Sequence, residues 1–274
     1  MTVQGLNLTV AARPENLAVI RQALAGYADA VGFDSDAIAD LKTIVTEACM
    51  NVVVHAYPDG TAGPLEVSVE PDEHGLEISV RDQGSGFRPR PADVEDSGLR
   101  LGLPLIAALS DEFEISGGGG GTEVRVKLGY SRNGAEEESG DERHDPETAE
   151  GMVMSIAAGA FVRPVLARVI GALAARADFS VDRLSDTILI GDAVSAHDAS
   201  DFRQGTVGIE LSDGMGWIGV RIGPLVEGGG ERIVDGLELP GGTSLSKLAS
   251  DVTVKREQME GGDAAEYVVV RIDR

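Results

Sequence analysis

A stretch near the middle of the chain constrains its architecture more than any other feature. Residues 131–150 contain no aliphatic side chain larger than alanine, are dominated by Glu and Asp, and include Gly and Pro. Such a segment cannot bury enough apolar surface to fold, and it is typical of an acidic, solvated, flexible linker. The sequence therefore predicts two domains, residues 1–130 and residues 151–274, each of ordinary domain size.

The first segment shows an ordered series of strand and helix patterns. A strand-like alternation comes first, and two stretches with helical spacing follow, the second with Ser35 as a candidate N-cap. A hairpin, a short helix over residues 103–109 and two final strands complete the series. The apolar positions that define these elements are Leu6, Leu8 and Val10; Leu17, Ile20, Leu24 and Tyr27; Ile38, Leu41, Val45 and Val52; Leu65, Val67 and Val69; Leu76, Ile78 and Val80; Phe113 and Ile115; and Val124, Val126 and Leu128.

The second segment repeats this order of elements. Two local matches fall at corresponding places: Phe33 and Asp36 against Phe179 and Asp182, and residues 109–111 against residues 249–251. We interpret the two halves as diverged copies of one fold. In the second half the patterns predict helices near residues 165–173, 182–198 and 245–248, and strands near residues 207–211, 218–222, 252–254 and 267–272.

Composition excludes several classes of function. The formal charge of −23 would repel nucleic acids and anionic lipid, so we expect no direct DNA, RNA or membrane binding. Solubility explains the acidity more simply than a basic partner does. The single cysteine, Cys49, excludes an intramolecular disulfide, and the four histidines show no zinc-ligand spacing. With no secretory signal pattern and no long apolar run, the sequence predicts a soluble, cytoplasmic protein.

Three polar residues line one side of the predicted second helix. Glu47, Asn51 and His55 are spaced four apart, about opposite the apolar stripe of that helix. A solvated polar face would show the same spacing. The apolar neighbours Met50, Val53 and Val54 favour the wall of a pocket instead.

Further along the chain, three glycine-bearing segments each allow an ordinary and a ligand-binding interpretation. Residues 81–87 (RDQGSGF) place Asp82 at a strand end before Gly84 and Gly86, which fits either a turn or a contact to an exocyclic amine. Residues 97–105 lead through Gly98 and Gly102 into a helix, whose free amides suit a phosphate. Residues 117–121 are five glycines before Thr122, and most of them suit a hairpin tip.

Taken together, these segments resemble the N, G1 and G2 boxes and the closing threonine of the histidine-kinase-like ATPases. The resemblance covers residues 6–128. Residues 47–57 (EACMNVVVHAY) and 102–111 (GLPLIAALSD) look most like the serine/threonine kinases that act as anti-sigma factors. The resemblance implies an α+β fold, a two-layer sandwich whose mixed, largely antiparallel sheet carries helices on one face, and here present twice in tandem. It also implies partners: a sigma factor, and a small antagonist protein phosphorylated on serine.

The resemblance implies a role for each site residue. Glu47 would be the general base, Asn51 would coordinate Mg²⁺ together with phosphate oxygens, and Asp82 would accept a hydrogen bond from the adenine amine of ATP. His55 would lie near the phosphates or serve a structural role. The supporting positions are Gly84 and Gly86 at the adenine wall, Gly98, Leu99 and Gly102 at the phosphates, and Thr122 beside the base.

Several features limit the choice of relative. No Gly-x-x-x-x-Gly-Lys-Ser/Thr pattern occurs, which argues against a P-loop. No histidine-bearing dimerisation helix precedes Leu6, which argues against a two-component histidine kinase. Residues 88–97 are few and include two prolines, so we expect a reduced lid over ATP.

The second half lacks the chemistry of the first. Asp192 stands near the place of Glu47, but Ala196 or His197 stands where Asn51 would be, and residues 221–225 (RIGPL) contain no Asp that corresponds to Asp82. Residues 241–243 retain a faint echo of a glycine box. We therefore expect a degenerate copy that does not bind MgATP and that packs as an intramolecular pseudo-dimer or binds a protein; a homodimer is the alternative.

Three functions are compatible with the sequence. The first is a protein-serine kinase and anti-sigma factor. The second is a nucleotide-gated binding module with little or no kinase activity, and the third is a slow regulatory ATPase. The resemblance favours the first.

Overall fold

The structure, a computed structural model, divides into two compact units, Met1–Ala149 (unit one) and Glu150–Arg274 (unit two). Every helix in its described ranges is too short or too polar to cross a lipid bilayer. The residues that it describes are 5–58, 61–72, 74–85, 99–118, 120–129, 151–180, 190, 194, 197, 199–235, 245, 249–259 and 263–274.

Unit one is an antiparallel sheet with helices packed on one face. Its strands lie in the order β4-β5-β3-β2-β1, and each neighbouring pair is antiparallel. The predicted α+β fold class is confirmed. The elements are β1 (Leu6–Ala11), α1 (Leu17–Ala30), α2 (Ser35–His55), β2 (Pro64–Asp72), β3 (Gly75–Asp82), α3 (Leu99–Leu109), β4 (Glu112–Gly118) and β5 (Gly121–Gly129), with a 3-10 turn at Pro14–Asn16.

Apolar alternation places the core between the sheet and the helices. In β1, Leu6, Leu8 and Val10 are buried while the residues between them are more exposed. The hairpin register pairs Val67 with Val80 and Val69 with Ile78, so these side chains lie on the same buried face. Each such side chain contributes roughly 1.5–3 kcal/mol through burial, which fixes the register of the hairpin.

The N-terminus of α2 differs from the prediction by one residue. Asp34, rather than Ser35, is the N-cap, and its Oδ1 accepts hydrogen bonds from the amides of Asp36 and Ala37 at 3.0 and 2.9 Å. Those two amides have no partner within the helix. A carboxylate also interacts favourably with the positive end of the helix dipole, which accounts for the preference for Asp34.

The start of α3 also differs from the prediction. The helix begins at Leu99, four residues before the predicted start at residue 103, and Pro104 lies inside it. The sequence suggested a later start because proline is usual in the first turn of a helix. Burial of Ile106 and the packing of α3 against α2 outweigh the hydrogen bond that Pro104 cannot donate.

Unit two has the same strand order as unit one. Its strands lie in the order β9-β10-β8-β7-β6, again with antiparallel neighbours, which is the order β4-β5-β3-β2-β1 of unit one element by element. The predicted helix over residues 182–198 lies largely outside the described residues. The described elements are β6 (Met152–Ala157), α4 (Val162–Arg176), β7 (Thr206–Gly214), β8 (Trp217–Leu225), α5 (Gly229–Asp235), β9 (Asp251–Gln258) and β10 (Ala264–Asp273), with 3-10 turns at Ala199–Asp201 and Arg203–Gly205.

One of these elements, α5, was missed in the sequence. It begins with two glycines, which have poor helix propensity, so no periodic pattern marks it. Its packing against β9 and β10 defines it instead.

The turns after the first helix of each unit share the same hydrogen bonds. In unit one the amide of Phe33 donates to the carbonyl of Ala28 at 2.9 Å, and in unit two the amide of Phe179 donates to that of Ala174 at 3.0 Å. Gly32 and Asp178, the residues before each phenylalanine, both have positive φ, 94° and 60°. Glycine adopts this conformation readily, whereas aspartate does so at some cost.

The strand registers of the two units correspond, apart from a β-bulge between Glu266 and Val268 in the pairing of β10 with β8. β1 and β6 each have six residues, and β2 and β7 each have nine with nearly the same alternation of buried positions. Val69 pairs with Ile78 in unit one, and Leu211 pairs with Val220 at the corresponding place in unit two. We infer that one fold occurs twice in the chain.

Candidate functional site

The predicted line of polar residues lies on α2, at the edge of the core of unit one. Glu47 and Asn51 are half-buried on α2, one turn apart, while Ala48 and Cys49 between them face the core. Burial raises the pKa of the Cys49 thiol to about 12, so this cysteine stays protonated and unreactive. His55 is exposed in the last turn of α2, about 12 Å along the helix axis from Glu47.

A glycine of α3 lies directly against this polar pair. A Cβ atom at Gly102 would lie 2.9 Å from Oε2 of Glu47 and 3.8 Å from both Oδ1 and Nδ2 of Asn51. The sequence suggested that Gly102 lies in a loop before α3, but the residue is inside the helix. The absence of a side chain at Gly102 matters more than its amide, because this absence lets α3 approach Glu47 and Asn51.

The predicted adenine-contacting acid is buried at the end of β3. Asp82 is 2% exposed, and its Oδ1 accepts a hydrogen bond from the amide of Gly84 at 2.8 Å. A carboxylate has more lone pairs than the one that the amide of Gly84 uses, so Asp82 is suited to accept a further hydrogen bond from a ligand.

The loop after β3 is packed against the end of α2. A Cβ atom at Gly84 would lie 2.2 Å from the carbonyl oxygen of Ala56, and the amide of Ser85 donates to that same oxygen at 3.0 Å. Gly84 is therefore required by close approach of two backbone segments. Asp82 is held near the helix that carries Glu47 and Asn51.

Thr122 lies beside Asp82 on the same face of the sheet. The register that pairs Arg81 with Glu123 brings Thr122 next to Asp82 at the end of the ladder. Gly121, with φ of 118°, lies against the backbone of Asp82, where a Cβ atom would be 1.9 Å from its carbonyl oxygen. By contrast, a Cβ atom at Gly120 would meet nothing within 4 Å, as expected of a hairpin tip.

Some predicted site residues lie outside the described residues or are described only in part. Gly86 and Gly98 are outside them, as are Asp192, Ala196 and residues 241–243 of the second half. Leu99 is the first residue of α3, where its backbone amide lies in the first turn and has no partner within the helix.

In the described part of the chain, no three His, Cys, Asp or Glu side chains form a metal-binding cluster. A metal ion held by a single protein side chain and by ligand oxygens does not require such a cluster. Asn51, half-buried beside Gly102, offers the side-chain oxygen that such a site would use.

Sequence reasoning gave no separate role to Tyr57. Its hydroxyl donates to the carbonyl oxygen of Pro64 at 2.5 Å and accepts from the amide of Gln83 at 3.1 Å. Both partners are backbone groups distant in the chain, at the start of β2 and just after β3, so only the folded structure reveals the contact.

Unit two has different residues at the matching places. Four residues beyond the matched pair Ile78 and Val220, Pro224 stands where unit one has Asp82. The same count along the last strand of each unit, from Val126 and Val270, leads to Thr122 and Glu266, although a β-bulge between Glu266 and Val268 makes Leu225, not Pro224, the partner of Glu266.

Glu266 fills this place with contacts inside unit two. It is 7% exposed, its Oε2 accepts from the amide of Gly230 at 3.1 Å, and its Oε1 accepts from Nη2 of Arg256 at 3.1 Å. Burial opposes ionisation, but the amides of Gly228 and Gly230 and the Arg256 guanidinium outweigh it and lower the pKa of Glu266. The carboxylate of Glu266 therefore already accepts hydrogen bonds from the glycine amides at the start of α5.

Comparison with known proteins places unit one in a defined group. Residues 10–128 match the family described as "Histidine kinase-like ATPase domain". The serine-protein kinase RsbW of Bacillus velezensis is 33% identical over 138 residues, covering 46% of this chain and 86% of that protein. RsbW of Bacillus licheniformis is 42% identical over 116 residues, covering 38% and 72%. A crystal structure of the RsbU and RsbW domains of Rv1364c from Mycobacterium tuberculosis aligns with 47% of this chain and 33% of that chain, at 25% identity and a TM-score of 0.37.

The close approach of the β3 loop to α2 can be tested by replacing Gly84. Gly84→Ala should lower the free energy of unfolding of unit one by about 1–3 kcal/mol, because the new Cβ atom would overlap the carbonyl oxygen of Ala56. Gly120→Ala, with open space around the Cβ position, should change it by less than about 0.5 kcal/mol. Denaturant titration followed by circular dichroism measures both, and equal effects of the two substitutions would contradict the packing described.

Proposed function

Because the chain belongs to the histidine kinase-like ATPase family and is homologous to the RsbW serine-protein kinases, we propose that unit one is an ATP-dependent protein-serine kinase. It would bind ATP with Mg²⁺ and transfer the γ-phosphate to a serine of a small antagonist protein. It would also bind a sigma factor, as the resemblance of residues 47–57 and 102–111 implies.

The contact at Gly102 is the observation that carries this proposal. It brings α3 against Glu47 and Asn51, so that the general base, the metal ligand and the phosphate-binding helix meet at one point. Phosphoryl transfer depends mainly on positioning and on neutralising charge, and such convergence supplies the positioning.

The buried end of β3 supports adenine binding. Asp82 is 2% exposed, and its carboxylate has acceptor capacity beyond the one bond from the amide of Gly84, so it can accept a hydrogen bond from an exocyclic amine. Thr122 lies next to Asp82, and the hydroxyl group of Thr122 would support the adenine.

Glu47 is the residue of unit one best placed to accept a proton near the phosphates. It would take the proton of the acceptor serine as the serine oxygen bonds to the γ-phosphorus and the bond to ADP breaks. Asn51 would hold Mg²⁺, which neutralises charge on the phosphates when bound. Amides at the first turn of α3, including that of Leu99, would donate hydrogen bonds to phosphate oxygens.

Apolar surface beside the site favours a protein acceptor. The large hydrophobic side chains that are exposed in the described part of unit one are Met50 and Val54 on α2 and Leu105 on α3. All three follow a site residue by one helical turn: Glu47, Asn51 and Gly102, respectively. A small-molecule acceptor would not need this surface, whereas a protein would cover it.

Replacing Glu47 separates kinase activity from nucleotide binding. Glu47→Gln should reduce serine phosphorylation by roughly 10²- to 10⁴-fold, because the amide cannot accept the proton, while ATP affinity stays near that of the unchanged chain. Single-turnover transfer of labelled phosphate and calorimetric ATP titration measure the two effects. Glu114→Gln, on exposed β4, is the matched control. Undiminished transfer would exclude Glu47 as the base and favour the nucleotide-gated module or another regulatory ATPase.

Asp82 should act on ATP binding itself. Asp82→Asn should weaken ATP affinity by roughly 10- to 100-fold, because a hydrogen bond from the adenine amine to a carboxylate is lost. Asp72→Asn, at the end of β2, provides a control of the same chemistry away from the loop after β3. Equal ATP affinity of the Asp82→Asn variant and the unchanged chain would reject the adenine contact.

The stoichiometry of ATP binding tests the assignment of the site to unit one. We expect one ATP per full chain, because the end of β8 has Pro224 and Leu225 in place of the adenine-contacting acid, and because the buried Glu266 stands near the place of Thr122. Isothermal titration calorimetry of the full chain measures the number. A second ATP of comparable affinity would show that unit two also binds nucleotide.

A further inference from the structure

One side chain joins the end of α2 to the loop after β3. Tyr57 lies two residues beyond the end of α2 and is half-buried. Its hydroxyl bonds to the carbonyl oxygen of Pro64, the first residue of β2, and to the amide of Gln83, the first residue after β3. One oxygen atom thus connects three elements of unit one.

The position of this hydroxyl is itself fixed. The ring of Tyr57 lies on Gly63, where a Cβ atom would be 2.1 Å from Cε1, and Pro64 is held by its pairing with Ala11 of β1. Burial raises the pKa of the Tyr57 hydroxyl, so the hydroxyl stays protonated and keeps donating to Pro64. Its lone pairs therefore face Gln83.

Gln83 follows Asp82 directly, so its amide controls where the strand end lies. The next contact along the loop, from the amide of Ser85 to the carbonyl of Ala56, again reaches the end of α2. The Asp82 carboxylate is bonded in turn to the amide of Gly84, between these two anchors. The direction of the Asp82 carboxylate therefore depends on the placement of residues 83–85.

We propose that Tyr57 is a positioning residue of the nucleotide site, which sets the distance between the adenine-contacting Asp82 and the phosphate-side pair Glu47 and Asn51. The proposal rests on the proposed ATP binding by unit one. A nucleotide that contacts both ends of the site is bound well only if the two ends are held at a fixed separation. Tyr57 supplies that link without contacting the nucleotide.

The test removes the hydroxyl and keeps the ring. Tyr57→Phe should weaken ATP affinity by about three- to tenfold, the usual effect of one hydrogen bond. It should leave affinity for inosine triphosphate, which has no exocyclic amine for Asp82 to bind, unchanged. The catalytic constant at saturating ATP should also stay the same, because Glu47 and Asn51 are not displaced. Equal losses for both nucleotides, or a fall in the catalytic constant alone, would overturn the proposal.

A double-mutant cycle with Asp82→Asn gives a second readout. If Tyr57 acts through Asp82, adding Tyr57→Phe to Asp82→Asn should cause little further loss of ATP affinity, whereas additive losses would overturn the proposal. Tyr267→Phe in unit two is the matched control and should leave ATP affinity unchanged.

The same titrations distinguish this proposal from the proposed function. Absence of ATP binding by the unchanged chain would overturn the proposed function and this inference together. Tight ATP binding that Tyr57→Phe does not weaken would overturn the inference alone.

Discussion

The site of unit one depends on a position where a side chain is missing. At Gly102, α3 comes close enough to α2 that any Cβ atom would lie 2.9 Å from a carboxylate oxygen of Glu47. This approach is possible because the rest of α3 is anchored by Ile106, which is fully buried. Without it, α3, which we propose to bind phosphate, and the helix that carries Glu47 and Asn51 would be separate surfaces, and neither alone could position a triphosphate.

A second close approach organises the other end of the site. Gly84 lies against Ala56, Ser85 bonds to the same carbonyl, and Tyr57 bonds to Gln83, so the strand-end loop and the end of α2 form one rigid corner. Backbone groups make most of these contacts, and they therefore place few demands on side-chain identity. The exception is glycine, because backbones approach this closely only where no Cβ atom intervenes.

Unit two shows how the same frame can be kept while its chemistry changes. The strand order, the strand register and the turn after the first helix are shared with unit one. At the end of β8, however, unit two has Pro224 and Leu225 where unit one has Asp82, and its buried Glu266, near the place of Thr122, bonds to Gly230 and Arg256. Apolar alternation maintains the frame, whereas a handful of polar residues determines whether the pocket can accept a ligand.

Much of unit one follows from its sequence because its patterns are local. The alternation of β1 and of the hairpin, the stripes of α1 and α2, and the spacing of Glu47 and Asn51 were all visible as periodicity. The sequence did not predict the cap at Asp34, the start of α3 at Leu99 or the helix α5. Local signals competed at the first two places, α5 has weak helix propensity, and packing decided the outcome. The contacts of Gly102, Gly84 and Tyr57 join residues distant in the chain, so only the tertiary structure could reveal them. Periodicity reports which face of an element is buried, but not which backbone it meets.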